Sequence, residues 1–451
     1  MMIKQGKFFI VLILFLSISC DTEEIQIIEP IFETSQKDPP TLSYTWLDAN
    51  IDEEQEDQIL DLIEDHGFVW STFPNNSLDN PNSEIIRKGI KKPNYAFSAF
   101  VKNLVGNTTY YVKAFIEMNN QIYYANEISF TTKPGTWKKL SDFPGEGLVN
   151  ATGFSVDGKG FIVGSRTDFT DAQVWEYDPN LDSWNRKNDA PFSTIGSTSF
   201  VINNRGFLYC DLLWEYNSDL DTWSKLNDYP IYTYEHKGCK GVSSFVIGDK
   251  AYIGAGVGNL NEGLLEWNSV TNEFTSLTSS FSPRLNPNRS YASMFSLGNK
   301  GYVVGGEMWF YEEDESVIEY DIPNLSSSYR GSFDNDRGYD ASRKEMVSFV
   351  VQGQAFIGMG YGEFPLTYGT NVGSQFDFYR YEPNGNRWIP QTYPVYVDDQ
   401  DDIHFLDRAG GVSLVIGDRA FMGLGEDREY NRDTESFDTS LYTDFWEFIP
   451  N

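Results

Sequence analysis

The sequence has few of the side chains on which most enzyme chemistry depends. Its 451 residues include three cysteines and three histidines, which are His66, His236 and His404. It has no glycine-rich phosphate loop that opens a helix, no Gly-x-Ser-x-Gly elbow and no His-Glu-x-x-His pair. With 66 acidic residues, candidate carboxylate pairs arise by chance and indicate no glycosidase. We therefore predict a protein that is not an enzyme and that binds no cofactor or metal.

Positive charge is also scarce. The chain has 34 lysines and arginines against 66 acidic residues, for a net charge of −32. The negative electrostatic field that this charge produces repels phosphate backbones, which excludes nucleic acid as a partner. It also repels anionic lipid head groups, so any attachment to a membrane must come from another source.

Long apolar runs are missing except at the N-terminus. Lys4 and Lys7 precede an apolar stretch that is too short for a stable membrane span, so residues 1–19 are predicted to be a signal peptide. The sequence Ser17-Ile18-Ser19-Cys20 resembles the lipobox of bacterial lipoproteins. The resemblance implies lipidation of Cys20 and an extracytoplasmic protein held by lipid to the outer membrane, on the cell surface. Residues 20–38 are polar and acidic and are predicted to be a flexible tether.

One pattern occurs six times after residue 136. Two short apolar segments flank a tight turn of residues that tolerate positive φ. The turns are Asp157-Gly158, Asn203-Asn204, Gly248-Asp249, Gly298-Asn299, Gln352-Gly353 and Gly417-Asp418. The aromatic residues that follow the turns are Phe161, Phe207, Tyr252, Tyr302, Phe356 and Phe421. A tail then supplies a third strand and, in four copies, a fourth strand that opens with Trp184, Trp223, Phe274 or Trp388.

This order of glycine, aromatic, tyrosine and tryptophan resembles the kelch repeat of galactose oxidase-like proteins. The resemblance covers residues 136–451 and implies a six-bladed β-propeller. The last copy ends after three strands, whereas an unmatched strand around Trp137 precedes the first copy. We expect that strand to join the C-terminal strands and close the sixth blade. Catalysis of the galactose oxidase type requires two histidines and two tyrosines at one copper site, with one tyrosine cross-linked to a cysteine, and no such set is visible.

Residues 39–133 alternate between apolar and polar types and predict a β-sandwich. The run Thr108-Thr109-Tyr110-Tyr111-Val112-Lys113-Ala114 resembles fibronectin type III modules. The resemblance implies a corner hydrogen bond from Tyr110 and a role as a spacer. The predicted fold class is therefore all-β, with a fibronectin III-like sandwich followed by a six-bladed kelch propeller.

After Cys20, only Cys210 and Cys239 remain. In the predicted propeller, Cys210 ends the second strand of blade two and Cys239 enters the first strand of blade three. These positions lie on one face of adjacent blades, and an extracytoplasmic location permits oxidation. A disulfide and two buried free thiols are both compatible with the sequence.

Three arginines recur just before first strands of the repeats, and three acids recur just before third strands. The pairs are Arg289 with Glu315, Arg343 with Asp377, and Arg408 with Asp444. We favour ion pairs that brace neighbouring blades, because a binding site rarely needs three equivalent pairs. The alternative is an arginine cluster for an acidic sugar, as the resemblance to a kelch-type sialic-acid mutarotase implies.

Long loops on the same predicted face carry aromatic residues among carboxylates. These candidate contact residues are Trp309, Phe310, Tyr311, Tyr232, Tyr234, His236, Phe364, Tyr368 and Tyr396. Grouped aromatics on a rim indicate a contact surface for a glycan or a protein partner, although the same rings could fold inward. The preferred hypothesis is a binding module in the cell envelope. The alternatives are a sugar-acting enzyme and a structural or assembly factor without a ligand.

Overall fold

The computed structural model describes residues 29–36, 45–90, 96–102, 104–165, 172–210, 212–227, 241–254, 264–277, 280–281, 289–308, 312–313, 315–333, 342–365, 370–397, 403–431 and 436–450. This part of the chain is almost entirely β-structure. It includes no helix of the length and apolar character needed to cross a membrane. The predicted signal peptide and Cys20 lie outside the described residues.

The N-terminal region consists of two antiparallel sheets on one shared core. Its elements are β1 (Phe32–Gln36), β2 (Thr45–Ile51), helix α1 (Glu53–Ile59), a 3-10 helix (Leu60–Leu62), β3 (Ile63–Ser71), β4 (Glu84–Arg87), β5 (Ala96–Val101), β6 (Thr109–Met118), β7 (Gln121–Tyr124) and β8 (Ile128–Thr131). One sheet has the order β1-β2-β5, and the other has the order β4-β3-β6-β7 with β8 also paired to β6. Side chains of both sheets form one apolar cluster. The hydroxyl of Tyr110 accepts a hydrogen bond of 2.9 Å from the backbone N–H of Val105.

The prediction of a flexible tether over residues 20–38 is wrong for its last part. Strand β1 pairs with β2 from Phe32 to Gln36. Phe32 is buried in the shared core, and the hydroxyl of the buried Thr34 accepts a hydrogen bond from Ala114 N. The alternation of apolar and polar residues in this short strand was hidden by its many acidic neighbours.

The six repeats supply the remaining strands in chain order. The first three repeats give β9 (Thr136–Lys139), β10 (Thr152–Val156), β11 (Lys159–Gly164), β12 (Gln173–Asp178), β13 (Ser183–Arg186), β14 (Thr198–Ile202), β15 (Arg205–Cys210), β16 (Leu212–Asn217), β17 (Thr222–Asn227), β18 (Ser243–Ile247), β19 (Lys250–Gly254), β20 (Leu265–Asn268) and β21 (Glu273–Ser276). The fourth gives β22 (Ser293–Leu297), β23 (Lys300–Val304), β24 (Glu307–Met308), β25 (Glu312–Glu313), β26 (Ser316–Asp321) and β27 (Ser326–Ser332). The fifth and sixth give β28 (Arg343–Lys344), β29 (Val347–Val351), β30 (Gln354–Gly358), β31 (Tyr361–Pro365), β32 (Thr370–Ser374), β33 (Phe378–Glu382), β34 (Arg387–Pro390), β35 (Val395–Val397), β36 (Ile403–Phe405), β37 (Val412–Ile416), β38 (Arg419–Gly423), β39 (Glu426–Asn431), β40 (Ser436–Leu441) and β41 (Phe445–Ile449).

Within the described residues these strands form six four-stranded antiparallel sheets, here numbered I to VI in chain order. Sheets I, II and III have the orders β10-β11-β12-β13, β14-β15-β16-β17 and β18-β19-β20-β21. Sheets IV, V and VI have the orders β22-β23-β26-β27, β29-β30-β33-β34 and β37-β38-β41-β9. The strand around Trp137 thus pairs with the C-terminal strand, with Trp137 opposite Phe448.

The first strands of the six sheets form a closed cycle. Each of β10, β14, β18, β22, β29 and β37 contacts the first strands of the two neighbouring sheets, and β37 contacts β10. Aromatic rings join the sheets further out. The residue after a hairpin turn contacts a third-strand ring of another sheet in pairs such as Phe161–Tyr216 and Phe207–Trp267, with centroids 5.2 and 5.0 Å apart. This all-β arrangement of four-stranded sheets is consistent with a β-propeller.

Connections within sheets IV to VI carry additional strands that the sequence analysis did not predict. Strands β28, β31, β32, β39 and β40 form a five-stranded sheet in that order, named here the loop sheet. Two hairpins, β24-β25 and β35-β36, lie in neighbouring connections. All of these strands occur between second and third strands or just before first strands. In an antiparallel sheet those connections leave from one end, so the additions share one face of the ring.

Candidate functional site

Six residues in left-handed conformation mark the centre of that face. Each lies two residues before the first strand of its sheet, and all have φ between 54° and 70°. The six residues are Asn150, Gly196, Gly241, Tyr291, Glu345 and Gly410. Glycine and asparagine adopt this conformation at low cost, whereas it costs other L-residues about 1–2 kcal/mol. Tyr291 and Glu345 are therefore held in place against a backbone preference, a feature that is frequent at functional sites.

Backbone hydrogen bonds between these positions explain why the conformation is kept. Asn150 N donates to Gly410 O at 2.8 Å, and Gly410 N donates to Glu345 O at 3.1 Å. The series continues from Glu345 N to Tyr291 O and from Tyr291 N to Gly241 O, at 3.0 and 2.8 Å. Each bond connects one sheet to the preceding one. The ring of left-handed residues therefore secures the contacts between sheets, whatever side chain each position carries.

A cavity of about 110 Å³ opens at this ring and is lined by residues of all six sheets. Its polar side chains are those of Asn150, Ser197, Ser243, Tyr291 and Glu345. The name axial cavity is used below for this space. Its volume is that of a few water molecules, which is enough for one edge of a sugar ring but not for a complete oligosaccharide.

Glu345 is the one acidic side chain that lines the axial cavity. Only 6% of its side chain is exposed. Its Oε1 accepts a hydrogen bond of 3.1 Å from Asn150 Nδ2. Its Oε2 lies 3.2 Å from Arg428 Nη2 but has no hydrogen-bond partner within the described part of the chain. Oε2 is itself buried beside the Arg428 guanidinium, so the Glu345 carboxylate connects the cavity wall to the loop sheet.

Arg428 supplies the positive charge behind Glu345. It lies on β39 of the loop sheet, where its guanidinium also pairs with Glu426 and stacks over Tyr361 at 4.8 Å. Burial alone would lower the pKa of Arg428, but the charges of Glu345 and Glu426 raise it above its usual value. The loop sheet therefore places a positive charge next to Glu345 at the axial cavity.

Two of the three predicted arginine–carboxylate pairs are formed. Arg343 makes a bidentate pair with Asp377, with Nη2 3.0 Å from Oδ2. Arg408 Nη2 contacts both oxygens of Asp444, at 2.8 and 2.6 Å. Each pair joins residues of one repeat, so the prediction that the ion pairs themselves brace neighbouring blades is wrong. Contact with the preceding sheet runs through the arginine backbone instead, because the carbonyls of Arg343 and Arg408 accept hydrogen bonds from Gly306 and Gly360.

The third predicted pair has a different arrangement. Arg289 Nη1 donates to the carbonyls of Gly305 and Ser316, at 3.0 Å each. Glu315 instead accepts a hydrogen bond of 2.7 Å from the hydroxyl of Ser332. No ion pair between Arg289 and Glu315 is found among the described residues. All three arginine side chains are almost fully buried, so they are placed to satisfy backbone and acidic partners and not to contact a ligand.

Most of the predicted aromatic contact residues lie outside the described residues. They are Trp309, Phe310, Tyr311, Tyr232, Tyr234, His236 and Tyr368. Phe364 and Tyr396 occur in β31 and β35, but the structure does not describe their side chains. The aromatic rim therefore stays a prediction.

Cys210, at the end of β15, is disulfide-bonded. The other two cysteines, Cys20 and Cys239, lie outside the described residues. Pairing of Cys210 with Cys239 therefore stays a prediction.

The axial cavity and Glu345 were not predicted from the sequence. One signal was available, namely the residue two positions before each first strand. Four of the six repeats carry glycine or asparagine there, and the exceptions are Tyr291 and Glu345. Comparing the repeats position by position would have found both side chains.

A larger depression, of about 440 Å³, lies in the N-terminal region beside Trp70, Lys102 and Tyr110. Its polar groups are largely engaged in local structure. Ser71 Oγ donates to Phe73 O at 2.6 Å, and the Tyr110 hydroxyl accepts from Val105 N. We therefore regard the axial cavity as the better candidate site.

Comparisons with known proteins assign neither a family nor a function to this chain. No protein-family model matches the chain. No curated protein matches it either. Among solved structures, one titled "Structure of YjhT" aligns with a TM-score of 0.46 and 14% sequence identity, over 67% of this chain and 99% of that chain. At that TM-score the likeness supports no conclusion about the fold or the activity of this chain.

Proposed function

We propose that the protein is a binding module of the cell envelope, a six-bladed kelch-type propeller whose ligand is a glycan held at the axial cavity. A fibronectin III-like sandwich would act as the spacer, and lipid on Cys20 would anchor the chain. One observation carries the proposal: Glu345, a buried carboxylate in left-handed conformation, lines a polar cavity together with the side chains of Asn150, Ser197 and Ser243.

The chemistry of the cavity suits sugar hydroxyls. Glu345 supplies a carboxylate to the cavity wall, and Asn150, Ser197 and Ser243 offer further amide and hydroxyl groups. The volume admits only one edge of a sugar, so the rest of the glycan would extend over the surrounding loops. The aromatic residues predicted there, such as Trp309 and Tyr311, would then stack on the sugar faces.

A glycan array probed with soluble protein that begins at residue 29 tests the proposal. We expect binding to a defined set of glycans, and Glu345→Gln should weaken it about tenfold, the effect of one lost charged hydrogen bond. Glu382→Gln is the matched control, because Glu382 lies on the surface paired with Arg380 and Arg387. Replacing Trp309 and Tyr311 together with alanine tests the rim separately. No array signal, or full binding by the Glu345→Gln protein, would contradict the proposal.

A sugar-acting enzyme is the second candidate, because a buried carboxylate at a cavity could also move a proton. The same experiment separates the two candidates when the bound glycan is examined after incubation. A changed anomer or epimer, produced by the unmodified protein and not by Glu345→Gln, would favour the enzyme.

A further inference from the structure

Strand β40 is an open edge of the loop sheet. It lies at one end of the order β28-β31-β32-β39-β40 and, among the described strands, pairs only with β39. All six of its residues, from Ser436 to Leu441, are exposed, and two of them are the large apolar residues Phe437 and Leu441. An edge of this kind presents unpaired backbone groups to another chain.

The register shows which backbone groups are open. Tyr442 N donates to Gly425 O at 2.9 Å, and the pairing of β39 with β40 continues without a bulge from Leu441 to Ser436. In an antiparallel ladder, residues alternate between bonding to the partner strand and pointing away from it. The N–H groups of Phe437, Thr439 and Leu441 therefore point away from β39.

The usual protections against strand addition are missing from β40. Native proteins blunt such edges with lysine, proline, a bulge or a very short strand. The sequence Ser436-Phe437-Asp438-Thr439-Ser440-Leu441 contains no lysine or proline, and its pairing is regular over six residues. Within the described residues, an edge that is regular over six residues and has neither lysine nor proline indicates a place for a partner strand.

Negative charge collects on one face beside this edge. Asp438 lies opposite Glu429 in the register, and Asp427 lies two residues before Glu429 on β39, so these three share one face of the loop sheet. Asp407 is close to the same face. Burial raises the pKa of Asp407 to about 7, with further contributions from Asp427, Asp377 and Glu429.

We propose that β40 binds an extended segment of another protein that carries lysine or arginine at alternate positions, added as a sixth strand of the loop sheet. The backbone groups of Phe437, Thr439 and Leu441 supply the affinity, and the acidic face selects the basic side chains. Alternate side chains on a strand are spaced by about 7 Å, the same interval that separates Asp427 from Glu429. This surface uses none of the residues of the axial cavity, so it does not depend on the glycan proposal.

Peptides of about ten residues with alternating lysine and threonine test this surface by fluorescence anisotropy. The matched control peptide carries N-methyl groups on the amides of one edge, which removes hydrogen bonding but keeps the charge. A second control replaces lysine with glutamate. We expect the basic peptide to bind, the N-methylated peptide to bind at least about tenfold more weakly, and the acidic peptide not to bind.

Substitutions in the protein test whether β40 is the edge that binds the peptide. Thr439→Pro removes an outward N–H and should weaken binding about tenfold, whereas Thr439→Val should not. Asp438→Asn combined with Glu429→Gln should lower the salt dependence of binding. Glu382→Gln, at the exposed pair with Arg387 in sheet V, should leave peptide binding unchanged. Equal binding of the N-methylated peptide would overturn the proposal, and this result does not depend on how well the Thr439→Pro protein folds.

Discussion

The two halves of the ring are the regular half, sheets I to III, and the elaborated half, sheets IV to VI. They make the same backbone contact between neighbouring sheets but carry different side chains there. Two residues before the left-handed position, sheets I and II carry the buried Leu148 and Thr194, whereas sheets IV, V and VI carry buried arginines. The backbone role is shared by both halves. The carbonyl of Leu148 accepts a hydrogen bond from Gly425 of the preceding sheet, as the carbonyl of Arg343 does from Gly306.

The difference between these side chains follows from the length of the connections in sheets IV to VI. In sheets IV to VI, long connections leave the ring after the second strand, and buried arginines donate to carbonyls near the point of departure. Arg289 donates to Gly305 O and Ser316 O, and Arg408 donates to Leu424 O. Arginine has five donors in a rigid fork and can satisfy several such groups at once. The buried arginines therefore satisfy carbonyls at the insertions of sheets IV to VI, whereas Leu148 of sheet I makes the same backbone contact without a cation.

The largest expected effect comes from removing one of these cations. Arg343→Ala should lower the free energy of unfolding by about 3–5 kcal/mol, because Asp377 is then left as a buried unpaired charge. Chemical denaturation followed by tryptophan fluorescence measures this. Arg380→Ala is the matched control, since its pair with Glu382 is partly exposed and should contribute less than about 1 kcal/mol.

A double variant tests whether Arg343 stabilises the fold through its ion pair or through its packing. In Arg343→Met with Asp377→Asn no buried charge remains, so much of the lost stability should return. A double variant as unstable as Arg343→Ala would show that Arg343 acts mainly through its stacking on Phe333, which lies 5.2 Å from the guanidinium.

Closely spaced acidic residues also distinguish the elaborated half from the regular half. Burial and the neighbouring Asp427, Asp377 and Glu429 raise the pKa of Asp407 from 3.8 to about 7. The folded protein therefore binds a proton between about pH 4 and 7 that the unfolded chain does not bind, so stability should fall as the pH rises through this window. Asp407→Asn should remove that slope and add about 1–3 kcal/mol at pH 8.

Denaturation midpoints between pH 4 and 8 measure this effect. Asp418→Asn is the control, because Asp418 lies in the exposed hairpin turn between β37 and β38. An unchanged slope in the Asp407→Asn protein would assign the pH dependence to other groups.

The six four-stranded sheets were more predictable than the connections between their strands. Hairpin turns such as Asp157-Gly158 and Asn203-Asn204 adopt the positive φ that their residue types indicated. Pairing of Trp137 with the C-terminal strand also followed from counting strands in the first and last repeats. These features depend on neighbouring residues or on repetition, and both are visible in a single sequence.

The loop sheet and the axial cavity could not be predicted in the same way. Strands β28, β32 and β39 come from separate loops, and β32 pairs with β39 only through Gly373 and Glu429. No local periodicity encodes such a contact. Glu345 was missed because its role depends on the ring bringing Asn150 of sheet I and Arg428 of the loop sheet to the same carboxylate.

The smallest expected effect concerns the turn between third and fourth strands, where sheet IV departs from the others. In sheets I, II and V, a left-handed Asp182, Asp221 or Asn386 accepts a hydrogen bond from the tyrosine five residues earlier. Sheet IV has Leu325 at this position, with φ of 47° and 42% exposed. Leu325→Asn should raise stability by about 1 kcal/mol, because asparagine adopts this conformation at lower cost. Leu325→Ala keeps the unfavourable conformation, so an equal gain from alanine in urea denaturation would show that exposure of the leucine, and not its backbone, weakens this turn.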